Sequence, residues 1–222
     1  MEKAKIGILM LDTTFHRPVG DIGNKDTFTF PVTYKKVKGA SISRVVKQRD
    51  PALLEPFIQT AQKFEKEGAK AITTSCGFLA IFQQDIQEAL SIPFFSSSLL
   101  QIPLAATMCG EPIGVITASK SSLTEAHFEG VGADKHHVVV VGMDDAPAFS
   151  GTIIKEAVPL DEKAVQEEMK KKVIELITNY PEIRAIVLEC TNMPPYKDAI
   201  REVTNLPIFD ITTLTNYMYQ VT

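Results

Sequence analysis

The sequence predicts an α/β protein of two similar lobes, each a parallel sheet flanked by helices, with a ligand cleft between them. Two observations predict it. Short apolar runs alternate with longer amphipathic ones along the 222 residues. A segment of the first half also realigns on the second half at a fixed offset.

The expected strands are 5–11, 69–75, 93–97, 113–118, 137–142, 185–189 and 207–211. Helical patterns fall at 51–67, 78–90, 121–129, 162–179 and 195–204. The pattern at 162–179 places Val165, Met169, Val173, Leu176 and Ile177 on one stripe, with Asp161 as its N-cap. That stripe reads as core.

The internal repeat carries more information. Ala71, Ile72, Cys76, Ile86, Glu88, Pro93 and Phe95 recur as Ala185, Ile186, Cys190, Ile200, Glu202, Pro207 and Phe209, each 114 residues later without a gap. Ile6-Gly7-Ile8-Leu9 matches Ile113-Gly114-Val115-Ile116 at an offset of 107. The expected division is a first lobe over 1–98, a second over 99–210, and a last helix, 211–222, returning to the first.

Bulk numbers exclude several classes. Net charge is −4 and no basic stripe with interleaved aromatics occurs, so nucleic acid is not an expected partner. The apolar stretch between Ile92 and Cys109 is broken by three serines, a glutamine and two prolines, which argues against a membrane span. The run after the N-terminus is short for a signal sequence, and the expected location is cytoplasmic. Three widely spaced cysteines do not make a disulfide framework, and neither a CxxC pair nor HExxH supports a metal site. No glycine-rich nucleotide motif occurs, so no cofactor is expected. Adjacent His136 and His137 read as surface residues at a strand entrance.

Ligands of open parallel sheets collect at the carboxyl ends of the strands. Glu189-Cys190-Thr191-Asn192 lies at one such end and Thr74-Ser75-Cys76-Gly77 at the matching end of the other lobe. A single free cysteine is commonly a small buried hydrophobe. Two at equivalent repeat positions, each entering a helix, point to paired acid/base chemistry. A helix start favours the thiolate, so lowered thiol pKa values are expected. One thiolate could then take a proton from a carbon acid while the other thiol returns one. Thr74, Thr117, Ser119, Thr191, Asn192 and the backbone N–H groups after each cysteine are the donors available to a carboxylate. Glu189 would raise the neighbouring thiol if it pointed into the cleft, and strand alternation could instead turn it away.

The paired cysteines, the tandem lobes and Cys190-Thr191-Asn192-Met193-Pro194 resemble the aspartate/glutamate/hydantoin racemase superfamily over nearly the whole chain. The resemblance implies catalysis by Cys76 and Cys190 without pyridoxal phosphate or metal. It also implies a carboxylate grip by Thr191 and the loop 117–119, and a homo-oligomer. Departures are Gly77-Phe78 where Asn-Thr is usual, Asn192 where His or Glu is usual, and a long loop over 12–32. Phe78 and Gly77 would then make the pocket less polar, and Asn24 would reach the ligand.

The resulting expectation is a cofactor-independent racemase or epimerase of a small carboxylate. The alternatives are a cis–trans isomerase or decarboxylase of a small dicarboxylic acid relying on Cys190, resembling maleate isomerase or arylmalonate decarboxylase, and a non-catalytic small-molecule binder.

Overall fold

A computed structural model describes residues 6–222. Residues 1–5, including Lys5 at the start of the first expected strand and the head of the segment weighed as a signal sequence, lie outside the described residues.

Two four-stranded parallel sheets form the frame. The first contains β1 (Ile6–Met10), β2 (Val32–Lys36), β3 (Ala71–Thr74) and β4 (Phe94–Phe95) in the order β2-β1-β3-β4. The second contains β5 (Ile113–Thr117), β6 (Val138–Gly142), β7 (Ala185–Leu188) and β8 (Ile208–Phe209) in the order β6-β5-β7-β8. The registers match as well: Ile6 pairs with Val32 and Ala71, and Ile113 pairs with Val138 and Ala185. The repeat seen in the residues is therefore a repeat of topology.

Helices α1 (Leu54–Lys66), α2 (Gln83–Glu88), α3 (Ile102–Cys109), α4 (Glu125–Gly130), α5 (Pro147–Phe149), α6 (Glu162–Asn179), α7 (Lys197–Arg201) and α8 (Ile211–Val221) join and cover the strands. Asp161 caps α6 by accepting from Ala164 N at 3.0 Å. The stripe of α6 is buried at Val165, Met169, Val173 and Leu176, as its period requires.

One repeated glycine explains how closely a helix can lie on each sheet. A Cβ at Gly7 would sit 2.7 Å from the Phe64 ring of α1, and a Cβ at Gly114 would sit 2.7 Å from Leu176 of α6. Each central strand omits a side chain where a large apolar residue presses down. Burial of such a residue stabilises the lobe by about 2 kcal/mol.

Several elements depart from the expectations. β2 was absent from them because Val32-Thr33-Tyr34-Lys35-Lys36 is a half-exposed edge strand with lysines and carries no buried run. Residues 102–109, not among the expected helices, form α3; the segment is mostly apolar and lacks a helical period, while Pro103 sits in the first turn, where it is tolerated. Residues 147–154, with no expected helix, form α5, which a widened helical turn over Ser150–Ile154 continues. The last helix α8 packs on the first sheet: Ile211 is buried with Ile6, Ile8, Ala71 and Phe95, and Tyr219 stacks on Phe30 at 3.8 Å. Asp210 caps it, accepting from Thr213 N at 2.8 Å.

Candidate active site

Both central strands end in the same backbone construction. Ser75 N donates to Leu9 O, and Glu189 N donates to Ile116 O. One turn later Leu79 N donates to Cys76 O and Met193 N to Cys190 O, both at 3.1 Å. These four bonds occupy equivalent repeat positions. They place a thiol at the mouth of each sheet, and Thr191 Oγ1 ties the two mouths together by donating to Ser75 O at 2.6 Å.

A small cavity of about 30 Å³ opens there. Cys76, Gly77 and Phe78 line it from one lobe, and Glu189, Cys190 and Asn192 from the other. The loop after β1 contributes Thr13, Phe15 and Arg17. Leu11, Ile42, Val46, Ile153 and Ile154 make much of the remaining wall apolar.

The polar groups form one chain of contacts. Cys190 Sγ donates to Asn192 Oδ1 at 3.4 Å, and Asn192 Nδ2 donates to Asp21 Oδ2 at 2.6 Å. Arg17 donates to Asp21 Oδ1 at 2.9 Å and to Thr13 Oγ1 at 3.0 Å, and its guanidinium lies 4.5 Å from the centre of the Phe15 ring. A guanidinium carries more donors than these two bonds use, so Arg17 can also take a carboxylate. Glu189 is fully buried. Its Oε2 accepts from Thr117 Oγ1 at 2.8 Å and Ala118 N at 3.4 Å, whereas Oε1 has no hydrogen-bond partner.

Electrostatics correct one expectation. Burial, and then the charge of Glu189, push the Cys76 thiol up to about 12, against the smaller downward pull of the Phe78 and Leu79 N–H groups and Arg17. Burial and Glu189 also hold Cys190 well above the ordinary thiol value. The N–H groups do favour each thiolate as expected, but desolvation of a nearly enclosed sulfur is the larger effect. Burial likewise raises Glu189 to about 7, opposed by the bonds from Thr117 and Ala118.

The expected site residues divide into two groups. Cys76, Gly77, Phe78, Cys190 and Asn192 share the cavity. Thr74, Thr117, Ser119, Thr191 and Asn24 do not line it. Thr74 donates to Cys76 O and Ser96 O and braces the turn. Thr117 stands behind Glu189, and Ser119 bonds to Ser122 and Asp144. Asn24 donates to Arg17 O at 2.8 Å and shapes the loop instead of reaching the cavity. The loop residues that do act at the site are Arg17 and, behind it, Asp21. The 12–32 loop has no helical or strand period, so its sequence carried no signal that singled them out.

Two parallel sheets meeting at paired strand ends, a thiol on each, define the two-lobed racemase architecture. The chain belongs to the Asp/Glu/hydantoin racemase family, whose model matches residues 31–216. An aspartate racemase homologue from Pyrococcus horikoshii has the same fold, with a TM-score of 0.61 at 14% identity over 97% of this chain and 99% of that one.

Curated relatives point to a different reaction. The chain is 32% identical over 200 residues to a dimethylsulfoniopropionate lyase of Durusdinium sp. clade D, covering 86% of this chain and 66% of that protein. It is 31% identical over 227 residues to dimethylsulfoniopropionate lyase 7 of Emiliania huxleyi, covering 97% of this chain and 66% of that one. The chain thus spans about two thirds of the length of these relatives. Their names correct the expectation of a racemase or epimerase, and with it the assignment to the isomerases. A lyase breaks a bond where a racemase inverts a centre, and a shared fold does not decide between them. The isomerase, decarboxylase and non-catalytic alternatives find no counterpart in those names either. No helix among the described residues is long and apolar enough to cross a membrane.

Proposed function

We propose that this chain is a lyase that cleaves a small sulfonium carboxylate of the dimethylsulfoniopropionate class by β-elimination. The observation that carries the reading is its 31–32% identity, over most of the chain, to relatives named for that reaction. Two thiols and an arginine in one small cavity supply the chemistry.

The bond changes are simple. A base removes a proton from the carbon beside the carboxylate. That C–H electron pair becomes the new C=C bond, and the C–S bond breaks with its pair going to sulfur. The sulfonium leaves as neutral dimethyl sulfide, and acrylate remains. The leaving group needs no acid, so a single base suffices. The base then passes its proton to water.

Cys76 is assigned as that base. Two backbone N–H groups and Arg17 favour its thiolate, whereas the Asp21 carboxylate adds to the forces that keep Cys190 protonated. Arg17 receives the substrate carboxylate and stabilises the charge that develops on it as the C–H bond breaks. Cys190, held by Asn192, forms the opposite wall. The two lobes, 1–98 with 211–222 and 99–210, close on the substrate from either side.

The test is direct. Purified chain given dimethylsulfoniopropionate should release dimethyl sulfide into the headspace and acrylate into solution in equal amounts. A folded protein that yields neither product refutes the reading.

A further inference from the structure

We infer that Glu189 is the residue that selects an onium cation, its free carboxylate oxygen being the seat for the positive end of a zwitterionic substrate. The inference rests on the lyase reading for the identity of the substrate and on the geometry of the cavity for everything else.

A carboxylate with no exposed surface is costly to keep unless something completes its bonding. Two donors serve Glu189 Oε2, and none serves Oε1. Yet Glu189 lines the cavity. Room for the carboxylate is made at Gly77, where a Cβ would overlap Glu189 Oε1 and the Glu189 carbonyl oxygen. The equivalent position in the first lobe is Ser75, whose hydroxyl merely accepts from Leu11 N at 2.9 Å. The carboxylate is thus a departure from the repeat, placed where the repeat needs only a hydroxyl.

The rest of the wall fits a cation that cannot donate hydrogen bonds. Phe78 supplies aromatic surface of the kind that attracts methylated onium groups. Arg17 on the same cavity fits the opposite end of the zwitterion. A bound onium would also supply the positive charge that burial denies to the thiolates, so selection and activation would be one event.

The test compares two unreactive acids of the same shape. One is 3-(trimethylammonio)propionate, and the other is 4,4-dimethylpentanoate, in which carbon replaces the charged nitrogen. Binding of each to the full chain is measured by calorimetry. The wild type is expected to prefer the onium by at least about tenfold, the scale of one partly screened charge contact. Glu189→Gln should bring the two affinities to within about threefold of each other, while Glu189→Asp, which keeps the charge, should retain most of the preference. Equal affinities in the wild type, or a preference that survives Glu189→Gln, would overturn the inference. A preserved preference without release of dimethyl sulfide would defeat only the lyase reading. Turnover without a preference would defeat only this one.

Discussion

The carboxyl ends of β3 and β7 are built on one plan and diverge in their side chains around the shared cysteine. Ser75, Gly77 and Phe78 in the first lobe stand where Glu189, Thr191 and Asn192 stand in the second. The backbone bonds are shared down to the donors. Leu11 N reaches Ser75 Oγ, and its counterpart Ala118 N reaches Glu189 Oε2. The divergence gives the first mouth an apolar face with a gap in it, and the second a carboxylate that fills the gap and an amide that holds a thiol. A repeat can conserve where the backbone goes while each copy takes on a different chemical task.

Breaking the paired thiols should have the largest effect. Cys76→Ser should lower elimination by about 10²–10⁴-fold, the usual worth of a positioned base. Cys190→Ser should lower it less, which headspace assays of the two variants at equal concentration would check. Equal losses would make the two ends chemically equivalent and remove the assignment of Cys76 as base.

The glycine that separates the two ends comes next. Gly77→Ala forces a methyl group onto the Glu189 carboxylate and should destabilise the fold by about 1–3 kcal/mol in denaturant titrations. Combining it with Glu189→Ala should recover only part of the loss, because the overlap with the side chain disappears while that with the carbonyl oxygen of residue 189 remains.

Glu189 also makes stability depend on pH in a way that Ser75 cannot. Its value in the folded chain, about 7, lies above the ordinary 4.5. The native state therefore holds that proton more tightly than the unfolded chain. The resulting stabilisation is complete below about pH 4.5 and is lost as pH rises through about 7. Its size is about 3 kcal/mol on the scale of one pKa unit per 1.36 kcal/mol. Unfolding at pH 5.5 and pH 8.5 should show this fall in the wild type and not in Glu189→Gln.

The smallest expected effect concerns the tie between the ends. Thr191→Val removes the bond to Ser75 O and should cost about 1 kcal/mol, with a modest loss of activity. Thermal unfolding that shifts no more than for a surface substitution would show that the two mouths are held by other contacts.

Much of the frame was legible in the residues. The seven expected strands all occur, and the cysteine-centred repeat maps onto equivalent strands of the two sheets. Edge strand β2 and helix α3 escaped because one is half-exposed and the other is mostly apolar around its circumference, so neither carries a period. At the site, the cysteines, Gly77, Phe78 and Asn192 could be placed from strand ends alone. Arg17 could not, since a long loop has no period to say which of its side chains folds back over the sheet. Thr74, Thr117 and Thr191 were read as donors to a ligand because a hydroxyl at a strand end has that option. In the structure backbone carbonyls and Glu189 take those hydroxyls instead.

By itself, then, the sequence determined the two-lobed frame and the meeting of two thiols, because both follow from local periodicity repeated at a fixed spacing. Only the tertiary structure decided that Glu189 turns inward and that Arg17 reaches the same cavity. It also decided that the thiols are buried deeply enough for desolvation to outweigh the helix starts. Those outcomes depend on which surfaces from distant parts of the chain exclude water together, and no single stretch of sequence carries that information.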